Sequence, residues 1–171
     1  PDSQEICFVP NDDYRQLINI RLPDLQKKIA GGDLVYHDKV IGKHNGYINY
    51  TIGQRRGLNI ALGKPVYVSK IDADSNVVYV DDAEGLMHSS FTAKKINLQM
   101  FDSIKEPMKA NVKIRYKDEG SPAVIEQTGD DEITVKFNEP KRSITPGQSA
   151  VFYDGNDVIG GGIIDSICNE Q

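Results

Sequence analysis

The chain has 171 residues, of which 39% are hydrophobic and 26% are charged, which allows one large domain or two small ones that fold without disulfides or metal. Its net charge of −5 argues against a uniformly basic, free-standing nucleic-acid binder, although it leaves room for a local basic patch. No apolar run of 18 residues and no signal-peptide pattern occur, so we expect a cytoplasmic protein that does not contact the membrane. Because Pro1 is not methionine, we also expect that further sequence precedes it.

Residues 1–62 are predicted to form a small α+β module. Its apolar residues recur at helical spacing and then give way to short β-like stretches around a polar turn. The predicted elements, in chain order, are a helix N-cap at Asn11–Asp13 before Tyr14, a helix over Arg21–Ala30 with Pro23 in its first turn and Gly31 at its end, and strands Leu34–Tyr36 and Lys39–Gly42 around a His37-Asp38 turn.

Residues 63–171 are predicted to be almost entirely strands, joined by turns rich in glycine, aspartate and asparagine. The predicted strands are Val66–Ile71, Val77–Val80, Ala93–Met100, Ala110–Lys117, Ala123–Gln127, Ile133–Phe137, Ser149–Tyr153 and Val158–Asp165. Short strands at this spacing favour a small closed barrel or a sandwich. The three glycines at 160–162 lie inside a strand pattern and indicate a bend or a bulge.

The two cysteines have different candidate roles. Cys7 follows polar residues in an apolar stretch, so it is either a buried packing residue or a reactive thiol. The second role requires a thiolate, and therefore access and positively charged surroundings. Cys168 lies at the tail, where we interpret it as a packing residue or an incidental surface thiol.

Two short segments carry candidate nucleic-acid contacts. Gln54, Arg55 and Arg56 stand between two glycines, where they form either a phosphate-binding loop or an ordinary solvated basic loop. Arg115 and Tyr116 combine a guanidinium for phosphate with a ring for stacking, although such pairs also occur on solvated strands.

A turn and three histidines complete the candidates. Residues 145–148 predict a type II turn that presents Gln148. His37, His44 and His88 have no neighbours at metal-ligand spacing, and two distant cysteines cannot form a local zinc set. We therefore expect structural or surface histidines and no metal in this chain.

Taken together, these segments resemble the central and carboxy-terminal regions of the bacterial tRNA-specific 2-thiouridylase family, the tRNA-uridine 2-sulfurtransferases. The resemblance covers nearly the whole chain, and the blocks at 50–58 and 146–153 are its most specific parts. The matching residues, in chain order, are Ser3, Ile6-Cys7-Phe8, Gly42, His44, Gly46, Tyr50–Arg55, Gly57-Leu58, Arg115-Tyr116, Pro146–Tyr153 and Gly160–Ile164. Many relatives have a more glycine-rich turn where this chain has residues 59–65.

The resemblance implies a fold and a division of the chain. It implies a mainly β protein with a small α+β part, in which a central module over 1–62 precedes a closed antiparallel β-barrel over 63–171. The barrel would be similar to the second domain of translation elongation factors.

The resemblance also implies a reaction. In this family an amino-terminal domain with a Ser-Gly-Gly-x-Asp-Ser loop and a first catalytic cysteine binds ATP and adenylates the C2 oxygen of the wobble uridine. The second catalytic cysteine matches Cys7, carries sulfur as a persulfide, and can form a disulfide with the first. This chain has no Ser-Gly-Gly-x-Asp-Ser loop. We therefore expect it to be inactive alone, with ATP bound by the missing domain.

The implied partners are tRNA and a sulfur-relay protein or a cysteine desulfurase. Arg115, Tyr116 and Gln148 match family positions that contact tRNA, and the loop at 54–56 is a further candidate. Two other interpretations stay open: a non-catalytic, translation-factor-like barrel that binds RNA or protein, and a self-contained thiol enzyme built around Cys7.

Overall fold

The structure, a computed structural model, describes residues 14–168. The chain divides into two compact units between Ala83 and Glu84. Both Cys7 and the predicted helix cap at 11–13 lie outside the described residues. No helix within the described range is long and apolar enough to cross a membrane.

The first unit combines two short helices with a four-stranded sheet in the order β2-β1-β4-β3. Its elements are α1 (Tyr14–Arg21), α2 (Leu25–Ile29), β1 (Asp33–Tyr36), β2 (Lys39–Lys43), β3 (Tyr67–Asp72) and β4 (Val77–Asp81). The single helix predicted over Arg21–Ala30 is wrong in its start, because α1 ends at Arg21 and Pro23 lies in the turn before α2.

The division into units differs from the predicted boundary at 62/63. Strand β1 pairs in parallel with β4, with Asp33 opposite Val77, and β4 pairs with β3. Residues 63–83 therefore complete the first sheet rather than starting the barrel. The core of this unit comes from strands β1, β3 and β4 and from the segment before β3: Leu34, Leu58, Val66, Val68, Val78 and Val80.

The β1–β2 hairpin turns at His37 and Asp38, as predicted. Their φ angles are 45° and 60°, so both residues adopt the left-handed conformation that a two-residue hairpin loop requires. Aspartate and histidine tolerate this region better than most residues do.

The second unit is a closed barrel of six strands in the order β10-β5-β8-β7-β6-β9, with every neighbouring pair antiparallel. The strands are β5 (Met87–Leu98), β6 (Met108–Lys113), β7 (Ser121–Gly129), β8 (Glu132–Arg142), β9 (Ser149–Asp154) and β10 (Asp157–Cys168). This confirms the predicted closed antiparallel barrel. Its interior holds fully buried Phe91, Val112, Ile125, Ile133, Val135, Phe152 and Ile159.

Strand β6 is shorter than predicted, because it ends at Lys113 and not at Lys117. The predicted bulge in β10 is confirmed, since the pairing with β5 shifts register after Gly161. A side chain would not fit at this point: a Cβ on Gly160 would lie 2.5 Å from the carbonyl oxygen of Asn97. The bare glycine backbone thus lets β10 lie directly against β5.

Candidate nucleic-acid interface

A groove of about 530 Å³ lies on the barrel beside strands β6 and β9. It is lined by Lys113, Arg115, Tyr116, Gln148, Ser149, Val151 and Tyr153. The fold thus brings together Arg115, Tyr116 and Gln148, three of the residues predicted to contact tRNA, although 32 positions separate the last two in the sequence.

The turn that carries Arg115 and Tyr116 is held by the carboxylate of Asp118. This carboxylate accepts hydrogen bonds from the backbone N–H groups of Ile114 (3.0 Å) and Gly120 (3.1 Å) and lies 2.7 Å from the ammonium of Lys141 on β8. Burial acts to raise the pKa of Asp118, but the hydrogen bonds from Lys141, Ile114 and Gly120 outweigh it and lower that pKa. The turn is therefore fixed through an anionic side chain.

Arg115 and Tyr116 extend from this turn toward solvent. Tyr116 is 86% exposed, an unusual position for so large a ring. The guanidinium of Arg115 donates one hydrogen bond to the backbone carbonyl of Arg142, which orients it. A guanidinium has five N–H donors, so the remainder can reach an anion.

Gln148 reaches the groove from the turn before β9. The φ angle of Gly147 is 87°, as the third position of the predicted type II turn requires. The turn is fastened to β10 because Gly147 N–H donates to Ile164 O (2.8 Å) and Ile164 N–H donates to Gln148 O (2.8 Å). The backbone at Gln148 is thus fixed, and its side chain is exposed.

Four residues of the groove were not predicted as contacts from the sequence, and two of them, Lys113 and Tyr153, contact each other. The ammonium of Lys113 lies 5.2 Å from the centroid of the Tyr153 ring, within cation–π range. A signal for both was available, since fully buried Val112 and Phe152 place their chain neighbours on the outer face of the barrel.

The loop at residues 51–57 belongs to the first unit. The side chain of Gln54 accepts from the N–H of Thr51 (3.0 Å) and donates to the carbonyl of Arg56 (2.9 Å), so it braces its own loop. Arg55 and Arg56 are exposed. Of the three candidate contacts here, the arginines are therefore available to a ligand, whereas both ends of the Gln54 amide already have partners.

Comparison with known proteins gives two adjoining family matches. The tRNA methyl transferase PRC-barrel domain matches residues 23–82, and the aminomethyltransferase beta-barrel domain matches residues 88–164. The point at which the chain divides into units, between Ala83 and Glu84, lies in the short gap between the two matches.

Individual relatives align along almost the whole chain. The tRNA-specific 2-thiouridylase MnmA of Salinibacter ruber is 45% identical over 98% of this chain, and that of Acetivibrio thermocellus is 47% identical over 96%. The corresponding protein of Chlorobium phaeobacteroides is 43% identical over 99%. The chain belongs to the tRNA-specific 2-thiouridylase family. It spans about half the length of these relatives, between 44% and 48%.

In this member of the 2-thiouridylase family, the surroundings of His44 and His88 indicate structural roles for both histidines. His44 is 1% exposed; its Nδ1 accepts from Gly46 N–H (3.0 Å) and its Nε2 lies 3.1 Å from the carbonyl of Asn76. These contacts assign the neutral ring with its proton on Nε2. Burial lowers the pKa of His88, which favours a neutral ring there as well.

The third histidine has acidic neighbours that sequence spacing did not reveal. His37, Asp81 and Asp82 bring potential ligand atoms within 4.8 Å of one another. Asp82 already accepts from the Lys64 ammonium and the Tyr36 hydroxyl, each at 2.9 Å. The hydrogen bond from Lys64 lowers the pKa of Asp82. The negative charge of this carboxylate is therefore already compensated by the Lys64 ammonium.

The structure supports the interpretation of Cys168 as a packing residue. The residue is half-buried, its Sγ lies 3.4 Å from Thr92 Oγ1, and its carbonyl accepts from Ser90 Oγ (3.2 Å).

Proposed function

We propose that this chain is the central and carboxy-terminal part of a tRNA-uridine 2-sulfurtransferase, which makes 2-thiouridine at the wobble position of tRNA. The observation that carries the proposal is the sequence identity of 43–47% to tRNA-specific 2-thiouridylases, in alignments that cover 96–99% of the chain. The groove on the barrel supports it, because it combines cations with an exposed aromatic ring, the pairing that unpaired RNA requires.

Cys7 carries the sulfur as a persulfide. The terminal sulfur forms a bond to C2 of the uridine, and the bond from C2 to its adenylated oxygen breaks as AMP leaves with that oxygen. The thiolate of the first catalytic cysteine then attacks the Sγ atom of Cys7, which leaves the transferred sulfur on C2 and joins the two cysteines as a disulfide. A thiol reductant restores both thiols before the next turnover.

Adenylation belongs to a domain outside this chain. The sequence has no Ser-Gly-Gly-x-Asp-Ser loop, and its other cysteine, Cys168, is not suited to the attack, because it is packed against Thr92 in the barrel. We therefore assign ATP and the first catalytic cysteine to the remainder of the protein, and expect the chain alone to thiolate no tRNA. A cysteine desulfurase or a sulfur-relay protein in the cytoplasm supplies the persulfide.

The described residues hold the tRNA. In the barrel, Arg115 contacts phosphate, the ring of Tyr116 stacks on a base, and Gln148 donates or accepts hydrogen bonds. In the first unit, Arg55 and Arg56 contact phosphate, and Gln54 keeps their loop in shape through its bonds to Thr51 and Arg56.

The test uses the full-length protein that the gene encodes and replaces one cysteine at a time. Cys7→Ser should abolish 2-thiouridine in tRNA, measured by mass spectrometry of digested nucleosides, while Cys168→Ser should leave it unchanged. After incubation with a desulfurase, the intact protein should gain one sulfur atom at Cys7. Normal thiolation by Cys7→Ser would instead favour a non-catalytic binding module.

A further inference from the structure

We propose that Lys113 binds a phosphate of an unpaired stretch of tRNA on the wall of the barrel, and that Tyr153 positions its ammonium. This inference rests on the proposed function, since it names which part of the tRNA the groove receives. It adds two residues to a site whose predicted contacts were Arg115, Tyr116 and Gln148.

The strand register places the two side chains together on the outside of the barrel. Strands β6 and β9 pair antiparallel, with Asn111 opposite Tyr153 and Lys113 opposite Val151, so Lys113 and Tyr153 are diagonal neighbours. Diagonal neighbours on one face lie within reach of long side chains. The distance of 5.2 Å from the Lys113 ammonium to the ring centroid shows that they make contact.

The charge of the groove selects an anion. Its lining contains two cations, Lys113 and Arg115, and no carboxylate, although the whole chain has a net charge of −5. Among the described residues, no carboxylate lies within ion-pair distance of Lys113, whereas Lys64, Lys94 and Lys141 all have such a partner. The Lys113 ammonium, which lies against the Tyr153 ring, is therefore available to bind a phosphate.

The exposed ring of Tyr116 selects an unpaired strand. Bases inside a duplex have both faces covered by their neighbours, so an aromatic side chain can stack only on a base that has left the helix. Tyr116 lines the same groove as Lys113. A strand that places a base on Tyr116 can therefore place an adjoining phosphate at Lys113.

The test uses the full-length protein that the gene encodes. It measures the affinity of this protein for an unmodified tRNA transcript at several salt concentrations. Lys113→Ala should weaken binding several-fold and reduce the slope of log affinity against log salt by about 0.7, the value for one phosphate of a single strand. Lys113→Arg should keep the slope. Lys109→Ala, on the same strand but outside the groove, is the matched control and should behave as the wild type.

Tyr153 is tested as a positioning residue. Tyr153→Phe keeps the ring and should retain the wild-type slope, whereas Tyr153→Leu should lose affinity and reduce the slope as Lys113→Ala does. If Lys113→Ala and Lys109→Ala bind alike while Arg115→Ala is weakened, the proposal for Lys113 fails and the proposed function stands. If Arg115→Ala also binds normally, the tRNA role of the whole groove fails. Equal competition by duplex RNA and by single strands would overturn the assignment to an unpaired stretch.

Discussion

The ammonium of Lys141 lies 2.7 Å from the carboxylate of Asp118, and the two side chains are only 15% and 12% exposed. The same ammonium donates to Ser121 Oγ and lies 5.7 Å from the centroid of the Phe137 ring. This pair joins β8 to the turn that presents Arg115 and Tyr116. The shape of the groove therefore depends on an ion pair that is largely withdrawn from water.

Lys141→Met should lower the free energy of unfolding by about 3 kcal/mol, because it leaves Asp118 as a charge with little access to water and no cation beside it. Chemical denaturation of the purified chain measures this. Lys117→Met, an exposed lysine in the same turn, is the control and should change stability by less than about 0.5 kcal/mol. Equal effects of the two substitutions would show that the pair contributes nothing.

The same carboxylate predicts a dependence of stability on pH. The folded protein holds the pKa of Asp118 below its ordinary value of 3.8. The contribution of Asp118 to the free energy of unfolding is therefore complete above about pH 4. It is lost as the pH falls toward the lower pKa of the folded state. In urea titrations, the stability difference between the wild type and Asp118→Asn should be constant near neutral pH and shrink in acid. A difference that grows in acid would contradict this assignment.

His44→Ala should destabilise the first unit by about 2–3 kcal/mol, since it deprives the N–H of Gly46 and the carbonyl of Asn76 of their partner in a buried place. His44→Asn can restore the acceptor for Gly46 and should recover part of this loss. His37→Asn is the control, because His37 is 60% exposed and its contact with Asp81 is a surface pair. Thermal unfolding followed by circular dichroism compares the three variants.

Gly160→Ala should destabilise the barrel by about 1–3 kcal/mol, because the new Cβ would lie 2.5 Å from the carbonyl oxygen of Asn97, a backbone atom that cannot move aside. Gly129→Ala is the matched control in another strand, where the nearest atom, Glu132 Cβ, is at 3.4 Å. Denaturant midpoints should separate the two variants. A neutral Gly160→Ala would show that β10 and β5 can separate at little cost.

Much of the fold follows from local pattern. Strand positions, the His37-Asp38 turn and the type II turn before Gln148 were predicted because each depends on residues close in the chain. The division of the chain was not predicted correctly, since it depends on the pairing of Asp33 with Val77, and no local signal reports a partner 44 residues away. Strand β3 was thus identified as a strand and assigned to the wrong sheet.

The candidate site was predicted only in part for a similar reason. Arg115 and Tyr116 were candidates because of their chemistry and Gln148 because of its turn, and the family resemblance added a tRNA role for all three. Neither kind of argument explains how the three residues meet. Lys113 and Tyr153 were missed because their contact depends on the register between β6 and β9. The link from Asp118 to Lys141 was missed because it crosses from a turn to a strand 23 residues later.

The first and last strands of the barrel, β5 and β10, are hydrogen-bonded neighbours, with Ser90 opposite Cys168. Both ends of this unit therefore emerge at one seam of the cylinder. A short peptide could join them, and new termini could be opened at the Gly155-Asn156 hairpin, without rearranging a single interior side chain. Such an arrangement allows the whole barrel to be inserted into a longer polypeptide, or removed from one, during evolution.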